Sequence, residues 1–239
     1  MTKGNTDYIA GVNSYSESSG SWAKVKIHNT VSNKSHISFQ FYLLFKRFFD
    51  IVLSIIALII LSPLLLITAI AIKLDSDGPA IYEQKRVGQG GKIFTFYKFR
   101  SMCVDADKQL KYLKDKNEID GPAFKMSNDP RVTKIGRFIR KVSIDELPQL
   151  INVLRGNMAI VGPRPPLPNE FAQYTPEQMH RLDVKPGLTC YWQISGRSDI
   201  SFDKWMQLDY KYIKERNLWT DFKIILKTVP VVLTGKGAY

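Results

Sequence analysis

Residues 46–79 read KRFFDIVLSIIALIILSPLLLITAIAIKLDSDGP, and this stretch decides the fold. Its central run, from Ile51 to Ile72, contains no charged residue. A straight helix of that length spans about 30 Å, which is the thickness of the hydrocarbon core of a bilayer. A helix of a soluble core would rarely be so long and apolar on every face. The sequence therefore predicts a membrane-embedded helix over residues 46–73.

The charges that flank the run leave its topology open. Lys46 and Arg47 precede it and Lys73 follows it, so the positive-inside rule gives no clear direction. Ser62-Pro63 lies at the middle of the run, and a proline there predicts a kink or a break. Two arrangements are consistent with this pattern: a kinked helix that spans the membrane, and a re-entrant helix that returns both flanks to the cytoplasm.

The overall composition favours an anionic partner. The chain of 239 residues has 34 Lys+Arg and 22 Asp+Glu, a net charge of +12, which suits nucleic acid, a phosphorylated substrate or anionic lipid. Its two cysteines, Cys103 and Cys190, exclude a disulfide scaffold and a four-cysteine zinc site. Residues 1–45 are polar and are predicted to be a loosely ordered extension with a strand around Ala23 to Ile27.

Residues 74–239 are predicted to form a globular domain that is α+β and mostly helical. Two β-type runs, Ala80–Arg86 and Ile93–Phe99, flank a glycine-rich turn and predict a small β-hairpin. Strands and helices do not alternate, which argues against a Rossmann-like sheet. Amphipathic or interfacial helices are predicted over Val104–Lys116, around Ile135–Val142, after Ser143 (a capping box with Glu146), after Thr175 (a capping box with Gln178), over Phe202–Glu215 and after Thr220.

The acidic pair Asp145-Glu146 has two interpretations. At the start of a helix, both carboxylates would be stabilised by the helix dipole, and nothing further would need explaining. A carboxylate kept ionised there is also ready to act as a nucleophile, and cations crowd the preceding segment from Arg131 to Lys141. Two adjacent carboxylates also suit Mg²⁺, which commonly binds between carboxylates and substrate phosphates.

Prolines on both sides of Arg164 restrict its backbone, so its guanidinium is presented with little entropy to lose. This suits bidentate phosphate recognition, although a proline-rich linker with an incidental arginine has the same pattern.

Two further groups of residues suit anion or nucleotide binding. Lys98 and Arg100 would share one face of a strand, either to bind an anion or as a solvated strand edge. The turn-rich segment from Lys185 to Arg197, which includes Gln193, has an aromatic residue and a cation that suit a base or a sugar.

In this order along the chain, the motifs resemble the bacterial sugar transferase family, the monotopic phosphoglycosyl transferases that start polyprenol-linked glycan assembly. The resemblance runs from Lys46 to Tyr239, and Cys190 departs from it because many relatives have glycine there. The matching residues are Lys46-Arg47 with Asp50, Ser62-Pro63, Gly78-Pro79, Lys98-Phe99-Arg100-Ser101-Met102, Asp129-Pro130-Arg131-Val132-Thr133 with Gly136 and Arg140, Asp145-Glu146-Leu147-Pro148-Gln149, Asn152, Gly162-Pro163-Arg164-Pro165, Lys185-Pro186-Gly187-Leu188-Thr189, Trp192-Gln193 and Gly196-Arg197.

The resemblance implies transfer of a sugar-1-phosphate from a UDP-sugar to undecaprenyl phosphate or another polyprenol phosphate, as the first membrane step of exopolysaccharide, capsule or glycoconjugate assembly. Asp145 would attack the β-phosphorus, expelling UMP and leaving a covalent phospho-sugar on the enzyme. Glu146 would assist through Mg²⁺, held by Asp145 and Glu146. Galactose, glucose and N-acetylated sugars all remain open.

The resemblance also implies binding residues and a location. Phosphate and substrate would be bound by Lys98, Arg100, Arg131, Arg140, Arg164, Gln193 and Arg197. The membrane helix would be re-entrant, with a break at Ser62-Pro63, and the protein would lie at the cytoplasmic face of the cell membrane. Its partners would be the two substrates, membrane phospholipids and a second copy in a homodimer, with no nucleic acid.

A different class of protein is also consistent with the charge: a membrane-anchored scaffold that binds nucleic acid or anionic lipid. The basic residues argue against nucleic acid, because they lie beside prolines, glycines and an acidic pair rather than in a stripe studded with aromatic residues.

Overall fold

The computed structural model describes residues 15–16, 21–22, 36–118, 121–124, 126–196 and 200–235. The protein is α+β and mostly helical, as the sequence predicts. Two short strands, β1 (Tyr15–Ser16) and β2 (Ser21–Trp22), pair antiparallel. The strand predicted around Ala23 to Ile27 lies outside the described residues.

The first helix, α1, runs without interruption from His36 to Asp75. Residues 36–45 are therefore helical, although the sequence predicts them to belong to the loose extension. The break expected at Ser62-Pro63 is wrong, because both residues lie inside the helix. The alternative, a kink at Pro63, stays a prediction. The Ser62 hydroxyl donates to the main-chain oxygen of Ile59 (2.8 Å). A proline removes one backbone donor, and the strongly apolar sequence on both sides continues the helix past it.

The middle of α1 carries a large exposed apolar surface. Its most apolar window has a mean hydropathy of 2.9, and by length and composition it is the helix, among the described residues, that could cross a membrane. Ile59 and Ile60 are each 68% exposed. Contiguous apolar surface of this kind is stable only against an apolar environment.

The N-terminal part of α1 is attached to the globular body by polar contacts. The ammonium of Lys46 lies 2.8 Å from the carboxylate of Asp221. Arg47 donates to the main-chain oxygens of Val153 (2.6 Å) and Leu154 (2.9 Å). These contacts hold the basic flank that precedes the apolar run.

The C-terminal end of α1 is attached to the same body. Ile72 packs in a core cluster with Phe99 and Ile139. The carboxylate of Asp75 accepts a hydrogen bond from the backbone N–H of Ile135 (3.2 Å). Both flanks of the apolar run therefore contact one globular unit, while the run itself projects apolar side chains outward.

The predicted hairpin is confirmed. Strands β3 (Ile81–Val87) and β4 (Ile93–Phe99) pair antiparallel, with Val87 opposite Ile93 and Tyr82 opposite Lys98. Gly90 has a φ of 65° in the connecting turn, a left-handed conformation that glycine adopts without strain. The hairpin places Lys98 at its open end.

The chain after the hairpin is less regular than the pattern predicts. The helix expected over Val104–Lys116 is reduced to a short α2 (Ala106–Gln109) followed by 3₁₀ turns at Leu110–Tyr112 and Lys114–Lys116. The basic helix is present as α3 (Lys134–Lys141), and the next helix is α4 (Gln149–Leu154).

A small parallel pair of strands forms the centre of the domain. Strand β5 (Ala159–Val161) pairs with β6 (Gly187–Thr189), and the sheets of the described residues are all two-stranded, in agreement with the expectation against a Rossmann-like fold. A Cβ on Gly187 would lie 2.0 Å from the nitrogen of Gly162, so the two backbones touch where β5 ends. This contact positions the proline-rich loop that follows Gly162.

The remaining helices surround this pair. They are α5 (Pro168–Phe171), α6 (Pro176–Met179), α7 (Tyr191–Ile194), α8 (Phe202–Glu215) and α9 (Leu218–Thr234). The capping box at Thr175 and the bounds of α8 are as predicted. The cap of α9 is not Thr220: the side chain of Asn217 accepts from the backbone N–H of Thr220 (3.0 Å).

Candidate active site

Asp145 and Glu146 lie in a sharp turn between α3 and α4. The segment Ile144–Glu146 is a 3₁₀ turn, and Ser143 before it has a φ of 55°, in the left-handed region. The predicted capping box is wrong, because an N-cap residue needs an extended backbone and the Ser143 side chain makes no cap hydrogen bond. The turn directs Asp145 inward.

Asp145 is 8% exposed. Burial, with a further contribution from the charge of Glu146, raises the pKa of Asp145 to about 7, against the opposing effects of Lys98 and Arg140. Desolvation of Asp145 therefore opposes the ionisation that a helix dipole was expected to favour, and it outweighs the favourable charges. A cation or a cationic group brought to this site would favour the ionised form.

Lys98 approaches Asp145 from β4. Burial lowers the pKa of Lys98 to about 8, while the charge of Asp145 acts to raise it. The Lys98 ammonium lies 5.5 Å from the ring centroid of Tyr82, its partner across the hairpin. Phe99 points to the other face and is in the core, as strand alternation predicts.

Arg164 is presented by the loop after β5. Pro163, Pro165 and Pro166 are buried, whereas Arg164 is half-buried. Its charge acts to lower the pKa of Lys98, so the two cations are within electrostatic reach. Among the described residues, no hydrogen bond or ion pair engages the Arg164 guanidinium.

Two buried arginines that sequence reasoning missed fix the Arg164 loop. Arg86 donates to the main-chain oxygen of Pro165 (3.0 Å), and Arg181 donates to that of Arg164 (3.1 Å). No signal in the sequence distinguished them, because in a chain with 34 Lys+Arg an arginine is ordinarily a surface residue.

Asn152, on α4, is one of the residues that match the family, and the sequence assigned it no role. In the structure its side chain forms hydrogen bonds with strand β4. Its side chain accepts from the backbone N–H of Tyr97 (3.0 Å) and donates to the main-chain oxygen of Thr95 (2.6 Å). These bonds fix β4, the strand that carries Lys98.

Arg100 is engaged by main-chain oxygens of the protein. Its guanidinium donates to the main-chain oxygens of Ser76 (2.7 Å) and Asp77, where α1 leads into the hairpin. Its interpretation as a phosphate ligand is revised to a structural one, because the donors that would face a phosphate are used to close this turn.

Arg131 is likewise held by protein partners. It forms a bidentate pair with Asp129, whose nearest contact is 2.6 Å, and donates to the main-chain oxygen of Ala106 (3.2 Å). Both side chains of the pair are buried. Arg131 therefore fastens the segment before α3 and is revised from phosphate ligand to structural support.

The remaining predicted binding residues are placed as follows. Arg140, at the end of α3, is close enough that its charge favours the ionised form of Asp145. Gln193 is half-buried on α7, which packs against α8 and α9. Arg197 lies outside the described residues.

The described residues contain no group of three or more His, Cys, Asp or Glu side chains that could hold a metal ion. Asp145 and Glu146 nevertheless fit Mg²⁺, because this ion is usually bound by one or two carboxylates and completes its shell with water and substrate phosphates. The raised pKa of Asp145 also indicates a carboxylate that an added cation would stabilise.

Comparison with known proteins identifies the family of this chain. A family model described as "Bacterial sugar transferase" matches residues 41–235. The chain belongs to the bacterial sugar transferase family. The matched range contains Asp145-Glu146, the Arg164 loop and most of α1.

Three relatives illustrate the similarity. The chain is 52% identical over 206 residues to "Galactosyl transferase CpsE" of Streptococcus agalactiae serotype III (strain NEM316), covering 84% of this chain and 46% of that protein. It is 48% identical over 198 residues to "Undecaprenyl-phosphate galactose phosphotransferase" of Salmonella typhimurium, covering 81% and 41%. It is 40% identical over 198 residues to "Exopolysaccharide production protein ExoY" of Sinorhizobium fredii, covering 81% and 88%. The chain thus spans less than half the length of the first two relatives and most of the third.

Proposed function

We propose that this chain is a phosphoglycosyl transferase that moves a sugar-1-phosphate from a UDP-sugar to a polyprenol phosphate such as undecaprenyl phosphate. The observation that carries the proposal is the buried Asp145 carboxyl, which lies within electrostatic reach of Lys98 and Arg140 and has a pKa of about 7. Lys98 in turn lies within reach of the charge of Arg164. A nucleophile in this setting is ionised when the positive charge assembled around it outweighs burial and the negative charge of the substrate phosphates.

The reaction has two displacements at one phosphorus. First, a carboxylate oxygen of Asp145 bonds to the β-phosphorus of the UDP-sugar, the bond to the bridging oxygen breaks, and UMP leaves with the electron pair. Next, an oxygen of the polyprenol phosphate bonds to the same phosphorus, and the Asp145 carboxylate is released. The sugar–phosphate bond is kept throughout.

Charge neutralisation is the main task of the surrounding residues, as in other phosphoryl transfers. Lys98, Arg140 and Arg164 would bind the substrate phosphates, with the Arg164 fork suited to a bidentate contact. Asp145 and Glu146 would hold Mg²⁺, which when bound supplies further positive charge to the phosphate oxygens.

The attachment of both α1 flanks to one body supports a membrane-embedded but non-spanning helix. If α1 crossed a bilayer, its two flanks would emerge about 30 Å apart on opposite sides, and one globular unit would not reach both. We propose that both flanks lie at the cytoplasmic face and that the apolar middle of α1 enters the membrane from that side. This placement requires α1 to bend at Pro63 while it stays helical on both sides of the proline.

The exposed face of α9 supports the same placement. Its apolar side chains recur every three or four residues and are exposed: Trp219, Phe222, Leu226, Val229 and Leu233. A stripe at this spacing suits an interfacial helix that lies in the membrane surface. The acceptor phosphate and the Asp145 site would then meet at the membrane surface.

The relatives' names suggest the pathway and the first donor to test. ExoY is named for exopolysaccharide production, and the Salmonella relative for galactose and undecaprenyl phosphate. We propose a role in the first membrane step of exopolysaccharide or capsule assembly, and UDP-galactose as the first donor to assay. A relative from Aeromonas hydrophila, 39% identical, is named for N-acetylgalactosamine, so UDP-N-acetylgalactosamine is the second.

The test is UMP release by the purified full chain in nanodiscs. We expect UMP to form with one of the UDP-sugars, in repeated turnovers that require both Mg²⁺ and undecaprenyl phosphate. UMP release that needs no lipid acceptor beyond the first turnover would indicate hydrolysis, and no UMP from UDP-galactose, UDP-glucose or their N-acetylated counterparts would exclude the proposal.

A further inference from the structure

A cavity of about 440 Å³ lies where the N-terminal part of α1 meets the globular body. Its walls include Phe39 and Leu43 from α1, Gln89 at the tip of the hairpin, and Lys185 and Arg216 from the domain. A volume of this size is typical of a site for a small molecule or a headgroup.

The cavity is distinct from the Asp145 site. None of Asp145, Lys98 and Arg164 lines it. Gln89, which lines the cavity, is at the tip of the hairpin, whereas Lys98 is at the open end. A strand of seven residues covers about 20 Å between these two ends. The two sites therefore lie at opposite ends of β3 and β4.

Arg216 is the unusual residue of the cavity. Its Nε and Nη1 atoms are inaccessible to solvent and have no hydrogen-bond partner in the part of the chain that the structure describes. Its guanidinium carbon lies 5.0 Å from the ring centroid of Phe39, so the aromatic ring covers one face of the group. Buried donors of a charged group are costly to leave unpaired, which points to a ligand that accepts from them.

The other charges of the lining leave a positive excess. Four cations and two carboxylates line the cavity: Lys46, Arg47, Lys185, Arg216, Asp50 and Asp183. The Asp50 carboxylate accepts from the backbone N–H of Ile160 (3.0 Å). Among the described residues, no hydrogen bond or ion pair engages the ammonium of Lys185. Burial lowers the pKa of Lys185, and the charges of Arg47 and Lys46 lower it further.

Asp183 adds an unsatisfied acceptor. One of its carboxylate oxygens faces His180 at 3.2 Å, and the other, Oδ1, is buried with no hydrogen-bond partner within the described ranges. A ligand that fills this cavity well therefore needs an anionic group for Arg216 and Lys185 and a hydroxyl for Asp183. A phosphodiester that bears a hydroxylated headgroup has both.

We propose that this cavity binds the headgroup of an anionic phospholipid, with its phosphate between Arg216 and Lys185 and a headgroup hydroxyl donating to Asp183. The lining residues Phe39 and Leu43 precede the apolar run of α1, at the level where headgroups lie. Acyl chains would follow the exposed apolar side chains of α1, such as Leu44 and Phe48. The inference rests on the membrane placement proposed above and not on the transfer chemistry.

Native mass spectrometry and thermal unfolding of the full chain test this site. The protein would be reconstituted in phosphatidylcholine nanodiscs with and without phosphatidylglycerol, then released and examined for retained lipid. We expect one phosphatidylglycerol retained per chain and a higher unfolding temperature in its presence. Arg216→Gln and Lys185→Gln should each weaken retention about tenfold, the effect of losing one charge-assisted hydrogen bond.

Lys214→Gln is the matched control, since it removes the same charge from an exposed position close to Arg216. It should retain phosphatidylglycerol like the wild type. The site would be overturned if Arg216→Gln and Lys185→Gln retained phosphatidylglycerol as well as the wild type does. It would also be overturned if Lys214→Gln lost as much of the lipid as those two variants. The same thermal shift with inorganic phosphate in phosphatidylcholine nanodiscs would overturn the assignment to a lipid. UMP release is not the readout, so the outcome is independent of the proposed transferase activity.

Discussion

Arg181 links the buried carboxylate of Asp209 to the loop that carries Arg164. Its Nη2 atom lies 2.6 Å from Oδ2 of Asp209 and 3.1 Å from the main-chain oxygen of Arg164. Both side chains of this ion pair are fully buried. The position of Arg164 in the candidate site therefore depends on a charge pair on the far side of its loop.

Asp209→Asn tests this dependence. It leaves the buried Arg181 guanidinium without its ion-pair partner, which typically costs about 3–5 kcal/mol of folding free energy. We expect a lower unfolding temperature and a higher KM for the UDP-sugar, because the loop loses its anchor. Asp203→Asn, an exposed change in the first turn of the same helix, should cost less than about 1 kcal/mol. Equal effects of the two substitutions would contradict the role given to Asp209.

Asp145→Asn should abolish the covalent intermediate, because an amide is not a competent nucleophile towards phosphorus. Intact-protein mass spectrometry after incubation with the correct UDP-sugar and no acceptor should show one added phospho-sugar in the wild type, on the peptide that contains Asp145. Glu146→Gln should still form the adduct, more slowly and with a weaker dependence on Mg²⁺. An adduct on another residue, or a fully active Asp145→Asn, would remove Asp145 from the chemistry.

The same substitution should stabilise the protein at neutral pH. The Asp145 carboxyl has a pKa of about 7 in the folded protein, against an ordinary value of 3.8, so it holds its proton more tightly when folded. Wild-type stability should therefore fall as the pH rises from about 4 to 7, and Asp145→Asn should not share this fall. Near pH 8 the variant should be more stable by an amount on the order of a few kcal/mol. If Asp145→Asn were instead slightly less stable than the wild type at every pH, the role of the carboxylate would be to interact favourably with a helix dipole.

Arg164→Lys should not restore activity, because an ammonium does not reproduce a planar bidentate contact with phosphate. We expect kcat/KM to fall roughly ten- to a hundredfold, from about 1.5–3 kcal/mol for a charge-assisted hydrogen bond. Arg137→Lys, an exposed change on α3, should have no effect. Near-normal turnover in Arg164→Lys would reduce the residue to a general positive charge.

Single cysteines at Phe45 and Lys92, which are both exposed, test the topology in a chain whose native Cys103 and Cys190 are replaced. In intact cells both should be protected from an impermeant thiol reagent and should react after permeabilisation. Labelling of one site from outside would show that α1 spans the membrane. Pro63→Ala in the same background should favour a straighter helix and so increase any outside labelling.

The local patterns that depend on neighbours in sequence were predicted well. The hairpin, the capping box at Thr175 and the bounds of α8 follow from alternation, cap residues and helical spacing. The turn at Asp145 was not predicted, because Ser143-x-x-Glu146 is a capping box only with an extended Ser143 backbone, and packing places that residue at a positive φ.

The roles of the arginines depend on distant partners and therefore could not be read from local pattern. Arg100 satisfies carbonyls more than twenty residues earlier, and Arg181 meets Asp209 on another helix. Arg131 is an exception: its partner, Asp129, is two residues away, and an Asp-Pro-Arg sequence could have indicated a local ion pair. A cation count alone does not distinguish an arginine that binds substrate from one that holds the fold.

The Lys46–Asp221 contact joins residues 175 positions apart, which has a consequence for how the protein is made. The ribosome releases α1 long before it releases α9, so under the proposed membrane placement α1 would enter the bilayer before Asp221 is made. The domain would then close onto an inserted helix, and α9 would complete the attachment. Under the same placement we expect chains that stop before residue 218 to insert normally and still be cleared by proteases, because insertion would not depend on assembly.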